Sequence, residues 1–148
     1  MVWKPNVTVA GVIERDGRFL LVEEDTDEGV RFNQPAGHLE CNESLVDAVV
    51  REVREETRYD FRPEFLIGVY SWRHPHKDAT YLRFAFGGEI VGFDPDRALD
   101  QGIIAPRWLT PDEIRANAAQ HRSPLIVRCV EDHLAGKRYP LDLLTFYS

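Results

Sequence analysis

Three glutamates in one short segment are the residues of this chain best suited to chemistry. Glu52, Glu55 and Glu56 stand at positions i, i+3 and i+4 of a segment with helical periodicity, a spacing that brings all three to one face. Like charges this close repel by a few tenths of a kcal/mol per exposed pair, so the arrangement is unfavourable unless a cation lies among them. Carboxylate oxygens suit hard ions such as Mg²⁺ or Mn²⁺, and no cluster of Cys or His indicates zinc instead. The spacing therefore predicts a divalent-metal site.

A solvated acidic face is the alternative interpretation of the same helix, because Arg51 and Arg54 partly neutralise it. Gly37 favours the metal site, since a glycine before the helix lets the backbone approach a ligand closely. Four valines at helical spacing mark the buried side: Val46, Val49, Val50 and Val53. We expect the carboxylates to point the opposite way, outward from the core.

The spacing of six residues resembles the signature of the Nudix family of hydrolases. The order is Gly37, five residues, Glu43, seven residues, and then the run Arg51-Glu52-Val53-Arg54-Glu55-Glu56. With average residue frequencies, six fixed residues would match in a chain this long with a probability on the order of 10⁻⁵. This specificity favours the metal site over the solvated face.

The chain departs from the family pattern directly after this run. The family has a glycine at the position of Arg58, just past the predicted helix end near Thr57. A left-handed backbone is common there, and a residue other than glycine costs roughly 1 kcal/mol. The departure affects the shape of the turn and leaves the carboxylates unchanged.

The resemblance implies a role for each residue of the signature. Glu52, Glu55 and Glu56 are implied to bind Mg²⁺, or alternatively Mn²⁺, and the Gly37 carbonyl is implied to complete the coordination. Glu52 or Glu56 is also implied to help deprotonate the attacking water.

Supporting residues follow from the same resemblance. Arg51 and Glu43 are implied to hold the loop and the helix together by charged hydrogen bonds. Members of the family often take a further metal-binding carboxylate from a loop in the C-terminal third, and Asp100 is the candidate here, followed by Asp94 and Asp96. A solvated, Asp-rich loop explains these three residues equally well.

A set of strand residues could bind the substrate by stacking on a base or contacting a phosphate. Alternating aromatic residues in strands are more often part of a core, which is the competing explanation. The candidates are Trp72, Tyr81, Arg83 and Phe84.

The resemblance extends beyond the signature over most of the chain. Stretches similar to one group of bacterial phosphatases in this family are KPNVTVAGVI, FNQPAGHLE, YLRFAF, PRWLTPDEI, RSPL and RYPLDLL. This similarity implies Mg²⁺-dependent hydrolysis of phosphoanhydride bonds in nucleoside tri- and diphosphates, or in pyrophosphate esters of the thiamin pathway. Other family substrates stay open (oxidised nucleotides, ADP-ribose and other nucleotide sugars, dinucleoside polyphosphates, capped RNA), as does a module that binds a nucleotide without cleaving it.

Local patterns predict the elements that position these residues. Apolar runs at 6–14 and 19–22 with Asp16-Gly17 between them predict a β-hairpin, and the acidic stretch 23–29 predicts a loop. Ser44 with Asp47 three residues later predicts a capped helix start. The later runs 65–72, 80–90 and 103–109 predict strands, and two further helices start near residues 110 and 123.

The order of these elements predicts an α/β fold with about three helices. The resemblance implies that residues 1–148 form a single Nudix hydrolase domain, with a mixed β-sheet sandwiched between α-helices.

Composition limits the partners of this domain. Its 18 basic and 25 acidic residues give a net charge of −7, which argues against nucleic-acid and anionic-membrane binding. Two cysteines and the lack of a signal-peptide pattern favour the cytoplasm. We expect a small-molecule nucleotide or pyrophosphate as the partner, with a monomer or a homodimer equally compatible.

Overall fold

The computed structural model describes residues 2–148, in which eight strands form two four-stranded sheets and three α-helices pack around them. The strands are β1 (Asn6–Gly11), β2 (Glu14–Arg15), β3 (Arg18–Thr26), β4 (Gly29–Asn33), β5 (Ala36–His38), β6 (Tyr59–Arg73), β7 (Thr80–Phe93) and β8 (Ile103–Leu109). The helices are α1 (Leu45–Thr57), α2 (Pro111–Ala116) and α3 (Leu125–Leu134). None of the helices in this described span combines the length and the apolarity that crossing a membrane requires.

The first sheet has the strand order β5-β1-β7-β6 and is mixed, because β1 and β7 run parallel while the other neighbours are antiparallel. In the second sheet β3 pairs antiparallel with β2, β4 and β8. The predicted α/β fold with a mixed sheet is confirmed. The second, antiparallel sheet was not predicted.

Helices α1 and α3 cover opposite faces of the first sheet. Consecutive residues of a strand point to opposite faces, and the two core clusters follow this alternation. Leu66 and Phe86 pack in the cluster of α1, whereas their neighbours Ile67 and Ala85 pack in the cluster of α3. The mixed sheet therefore lies between helices, as predicted.

Helix α1 starts and ends where the local pattern predicted. The Ser44 hydroxyl accepts a hydrogen bond from the Asp47 N–H at 3.0 Å, which caps the first turn. The helix ends at Thr57, and Arg58 follows with φ +70°, the left-handed conformation usual for a glycine at this position.

The predicted turn at Asp16-Gly17 is confirmed, but the hairpin is shorter than predicted. Asp16 and Gly17 have φ of +53° and +77° and form the turn between β2 and β3. Only β2 of the run 6–14 pairs with β3, whereas β1 pairs with β5 and β7 in the first sheet.

The loop predicted for residues 23–29 is largely wrong. Strand β3 then continues to Thr26, because Glu23 and Glu24 pair with β4 on one side and with β8 on the other. Only residues 27–28 form a turn.

Candidate active site

Arg51 connects the loop before α1 to the helix. Its Nε and Nη2 donate to the two carboxylate oxygens of Glu43 at 2.7 and 3.0 Å, and Nη2 also donates to the carbonyl oxygen of His38 at 3.0 Å. Its Nη1 donates to Glu52 at 2.7 Å and to Glu55 at 3.1 Å. The hydrogen bond from Arg51 lowers the pKa of Glu43. The structure thus places Arg51 and Glu43 in the contact that the resemblance implied.

Three carboxylates come together at the end of this network. One oxygen each from Glu52, Glu55 and Asp100 lies within 4.8 Å of the other two. Asp100 reaches α1 from the loop between β7 and β8, where its N–H donates to the Glu55 carbonyl oxygen at 3.0 Å. Asp94 and Asp96 lie in the same loop outside this group. Three carboxylates at this spacing suit a hard divalent cation.

Gly37 lies directly against the carboxylate of Glu52. A Cβ built on Gly37 would collide with the Cδ and both Oε atoms of Glu52. The absence of a side chain is therefore what lets strand β5 approach the face of α1 that carries Glu52.

Glu56 is separate from the group of three and faces strand β5. Its Oε1 accepts a hydrogen bond from the Ala36 N–H at 2.9 Å. Burial, and to a smaller extent the negative charges of Glu24 and Glu52, raise the pKa of Glu56 to about 9 against the opposing effect of the hydrogen bond from Ala36. For Glu52, burial outweighs the opposing effect of Arg51 and raises its pKa to about 7.

The expectation that the carboxylates point outward is wrong for two of them. Glu52 and Glu56 are only 7% and 9% exposed, because strand β5 covers them. The side chain of Glu55 remains 34% exposed. The valine stripe marks one buried side of α1, but β5 buries part of a second side.

These pKa shifts predict that the metal-free protein loses stability as the pH rises. Glu52 and Glu56 have raised pKa values of about 7 and 9 in the folded chain, against 4.5 when unperturbed. The proton-linked contribution of these two groups to the stability of the fold is therefore complete below pH about 4.5. It is lost as the pH rises through about 7 for Glu52 and about 9 for Glu56. We expect the unfolding temperature in EDTA to fall by roughly 5–10 °C between pH 6 and pH 9.

The control for this prediction is the double variant Glu52→Gln/Glu56→Gln, whose unfolding temperature should change much less with pH. Mg²⁺ or Mn²⁺ should raise the unfolding temperature of the unsubstituted chain more at pH 9 than at pH 6, because the ligands must be deprotonated to bind. Equal slopes in the double variant and the unsubstituted chain would show that other groups cause the pH dependence.

A cavity of about 490 Å³ opens beside the carboxylates, with Glu52, Glu56 and Gly37 in its lining. Trp72 and Tyr81 also line it, from paired positions on β6 and β7, with ring centroids 5.9 Å apart and planes tilted by 28°. This pair forms an aromatic surface at the cavity. Phe84 lies elsewhere, packed against the core around α1.

Arg83 brings a buried positive charge to the same cavity. Its Nη1 donates to Gln34 Oε1 at 2.7 Å and its Nη2 donates to Asn33 Oδ1 at 2.9 Å. These neutral partners fix the guanidinium without neutralising it. Asn33 and Gln34 were not predicted as site residues, although they occur in the similar stretch FNQPAGHLE.

Glu24 is a further cavity residue that sequence analysis missed. It is 7% exposed and pairs with Arg122 Nη1 at 2.7 Å, from the segment before α3. The two residues are 98 positions apart, and Glu24 lies in the acidic stretch that was predicted to be a loop. No local pattern could have found this pair.

Comparisons with known proteins agree with this geometry. A family model described as the NUDIX domain matches residues 2–129. Phosphatase NudJ of Escherichia coli strain K12 is 40% identical over 143 residues, which cover 97% of this chain and 92% of the relative. Phosphatase NudJ of Shigella flexneri matches to the same extent.

Solved structures show the same similarity. A NUDIX hydrolase from Nitrosomonas europaea superimposes with a TM-score of 0.95 at 56% identity, covering 97% of this chain and 98% of that one. A MutT NUDIX hydrolase from Burkholderia pseudomallei has a TM-score of 0.74 at 21% identity, over 88% of this chain and 98% of that one. The second likeness shows the fold alone.

Proposed function

The chain belongs to the Nudix family of hydrolases, which act on phosphoanhydride bonds, and we propose that it hydrolyses nucleoside tri- and diphosphates or related pyrophosphate esters with Mg²⁺. The observation that carries the proposal is the group of Glu52, Glu55 and Asp100 oxygens within 4.8 Å of one another. Glu52 also lines the cavity of about 490 Å³, so the group adjoins a space for a substrate. The relatives named Phosphatase NudJ support hydrolysis that ends in phosphate release.

The residues present fit a divalent cation. Glu52, Glu55 and Asp100 would hold it, with Glu56 and the Gly37 carbonyl as further oxygen donors on the side of strand β5. When bound, Mg²⁺ polarises a phosphoryl oxygen and lowers the pKa of bound water.

The chain's own residues then have distinct tasks. Glu52 and Glu56 are the buried carboxylates available to take the proton of the attacking water, and their burial excludes competing bulk solvent. Arg51 orients Glu52 and Glu55 through its Nη1 and holds the loop of Glu43 in place.

The remainder of the cavity suits a substrate with a planar base and several negative charges. The Trp72–Tyr81 pair offers a stacking surface of the kind that binds bases of any type. Four basic side chains line the same cavity of an otherwise acidic protein and can receive phosphate groups: Arg31, Lys77, Arg83 and Arg122.

Substitution of Trp72 tests whether the Trp72–Tyr81 pair is the surface on which the substrate base stacks. Trp72→Ala should raise KM for nucleotide substrates by about 10-fold and leave kcat nearly unchanged, because stacking on one aromatic ring contributes roughly 1–3 kcal/mol. Steady-state kinetics measures both constants. Trp3→Ala is the matched control, since Trp3 is 64% exposed and does not line the cavity. A lower kcat at unchanged KM would contradict the assignment.

The proposed function is tested by phosphate release from a panel of substrates. The panel contains nucleoside tri- and diphosphates, thiamin pyrophosphate, ADP-ribose and dinucleoside polyphosphates, each with Mg²⁺ and with or without added pyrophosphatase. Orthophosphate released directly from nucleotides is the expected result. Signal only with pyrophosphatase would indicate a triphosphate pyrophosphohydrolase, and no signal from any compound would contradict the proposal.

We also propose that the whole span 1–148 forms this one domain, although the family model stops at residue 129. Beyond that point Tyr139 exchanges two backbone hydrogen bonds of 2.8 Å with Leu66 of β6. Leu141 and Leu144 pack against the core cluster of α1. These contacts connect the C-terminal segment to the sheet that carries the site.

A further inference from the structure

Arg58 has an unusual backbone conformation for an arginine. It has φ +70° and ψ 0°, and its N–H donates to the Arg54 carbonyl oxygen at 3.0 Å. Glycine normally occupies this left-handed cap, because a Cβ is disfavoured there. Within residues 2–148 the other non-glycine residues with positive φ are Asp16 and Asn42, whose types tolerate it. The contacts of the Arg58 side chain give a reason for the exception.

Both the side chain and the carbonyl of Arg58 bind the loop 94–102, which joins β7 to β8. Its Nε donates to the Arg97 carbonyl oxygen at 2.6 Å. Its own carbonyl oxygen accepts from the Asp94 N–H at 3.1 Å and from Arg97 Nη1 at 3.2 Å. A glycine would keep the two bonds at the carbonyl but would lose the shorter bond from Nε. The side chain therefore adds an attachment that a glycine lacks.

The attached loop carries the third carboxylate of the group. Asp100 follows Arg97 by three positions, and its N–H donates to the Glu55 carbonyl oxygen at 3.0 Å. The loop is thus attached to the end of α1 at Arg58 and again at Glu55. Because like charges repel at this range, a third carboxylate beside Glu52 and Glu55 requires a loop that is held in place.

We propose that Arg58 is a positioning residue, which attaches the loop 94–102 to the end of α1 and so holds Asp100 beside Glu52 and Glu55 for cation binding. The proposal rests on the metal site of the proposed function. Arg58 acts through the backbone of the loop and is not a member of the carboxylate group. By its electrostatic effect alone, the loss of a positive charge would strengthen the binding of a nearby cation. If cation binding is instead weaker without Arg58, the cause is a loop that no longer holds Asp100 in place.

The test is Mn²⁺ binding to the full chain without substrate, measured by titration calorimetry, with the unfolding temperature in EDTA as the measure of folding. Arg58→Gly should raise the Kd for Mn²⁺ by about 10-fold at an unchanged or higher unfolding temperature. Asp100→Asn should weaken binding to a similar extent. The double variant should bind no more weakly than Asp100→Asn alone, because Arg58 acts through Asp100. Arg62→Ala, which removes the same charge from an exposed site, is the control.

The outcomes separate this proposal from the proposed function. If Arg58→Gly binds Mn²⁺ with the same Kd as the unsubstituted chain, the role of Arg58 is overturned and the metal site is left intact. The same conclusion follows if the double variant binds more weakly than Asp100→Asn alone, with the two increases in Kd multiplied. A lower unfolding temperature with an unchanged Kd would show that Arg58 only stabilises the fold, which also overturns the proposal. If the unsubstituted chain binds no Mn²⁺, both the proposal and the metal site are wrong.

Discussion

Replacing Glu56 with glutamine should lower kcat by about 10²- to 10⁴-fold while the protein stays folded. Burial raises the pKa of Glu56 to about 9 in the metal-free chain, so its neutral form predominates at pH 7. Glutamine has the shape of that neutral form, and its oxygen can still accept the hydrogen bond from the Ala36 N–H. An amide can neither take a proton from water nor offer a cation a full negative charge.

Phosphate release at saturating Mg²⁺ measures the loss, and the unfolding temperature in EDTA measures the fold. Glu89→Gln makes the same chemical change at a side chain that is 65% exposed, and it should leave both quantities unchanged. A rate for Glu56→Gln within a few-fold of the unsubstituted enzyme would exclude Glu56 from the chemistry.

Replacing Arg51 with alanine should produce the largest loss of stability in the site. The Arg51 guanidinium lies within 3.1 Å of Glu43, Glu52 and Glu55, and its side chain is only 22% exposed. Without it, three partly buried carboxylates lose their shared cation. We expect a loss of about 2–3 kcal/mol in the free energy of unfolding and a decrease of roughly 5–10 °C in the unfolding temperature, measured in EDTA.

Two comparisons identify the cause of this loss. Arg54→Ala removes the same charge from α1 at a side chain that is 47% exposed, and it should change the free energy of unfolding by less than about 0.5 kcal/mol. Arg51→Lys should recover only part of the loss, because an ammonium group cannot make the two-pronged contact with Glu43. Equal losses in the free energy of unfolding for Arg51→Ala and Arg54→Ala would contradict the role of Arg51 as the cation shared by Glu43, Glu52 and Glu55.

Local sequence determined the helix that carries the site. The cap at Ser44 depends on Asp47, three residues away, and the positions of Glu52, Glu55 and Glu56 follow from helical periodicity. These relations join residues within one helical turn of each other, so they can be predicted from the residue types and their spacing. The hairpin turn at Asp16-Gly17 was predictable for the same reason.

Predictions from local sequence patterns were wrong or incomplete where a distant strand determines the secondary structure or the burial of a residue. Glu23 and Glu24 look like loop residues, but pairing with β4 and β8 makes them part of a strand. Outward-pointing carboxylates were expected, yet β5 buries Glu52 and Glu56. Strand propensity depends on such neighbours more than on the residues themselves.

Asp100 shows most clearly what the tertiary structure alone decided. From the sequence, Asp100 was the first candidate, ahead of Asp94 and Asp96, but a solvated loop explained all three equally well. In the structure only the Asp100 N–H reaches the Glu55 carbonyl oxygen, 45 positions earlier in the chain. The sequence by itself determined the family signature and the helix that displays it, because both depend on residues a few positions apart. The choice among distant partners needed the fold, because chain folding brings together residues whose spacing in the sequence carries no signal.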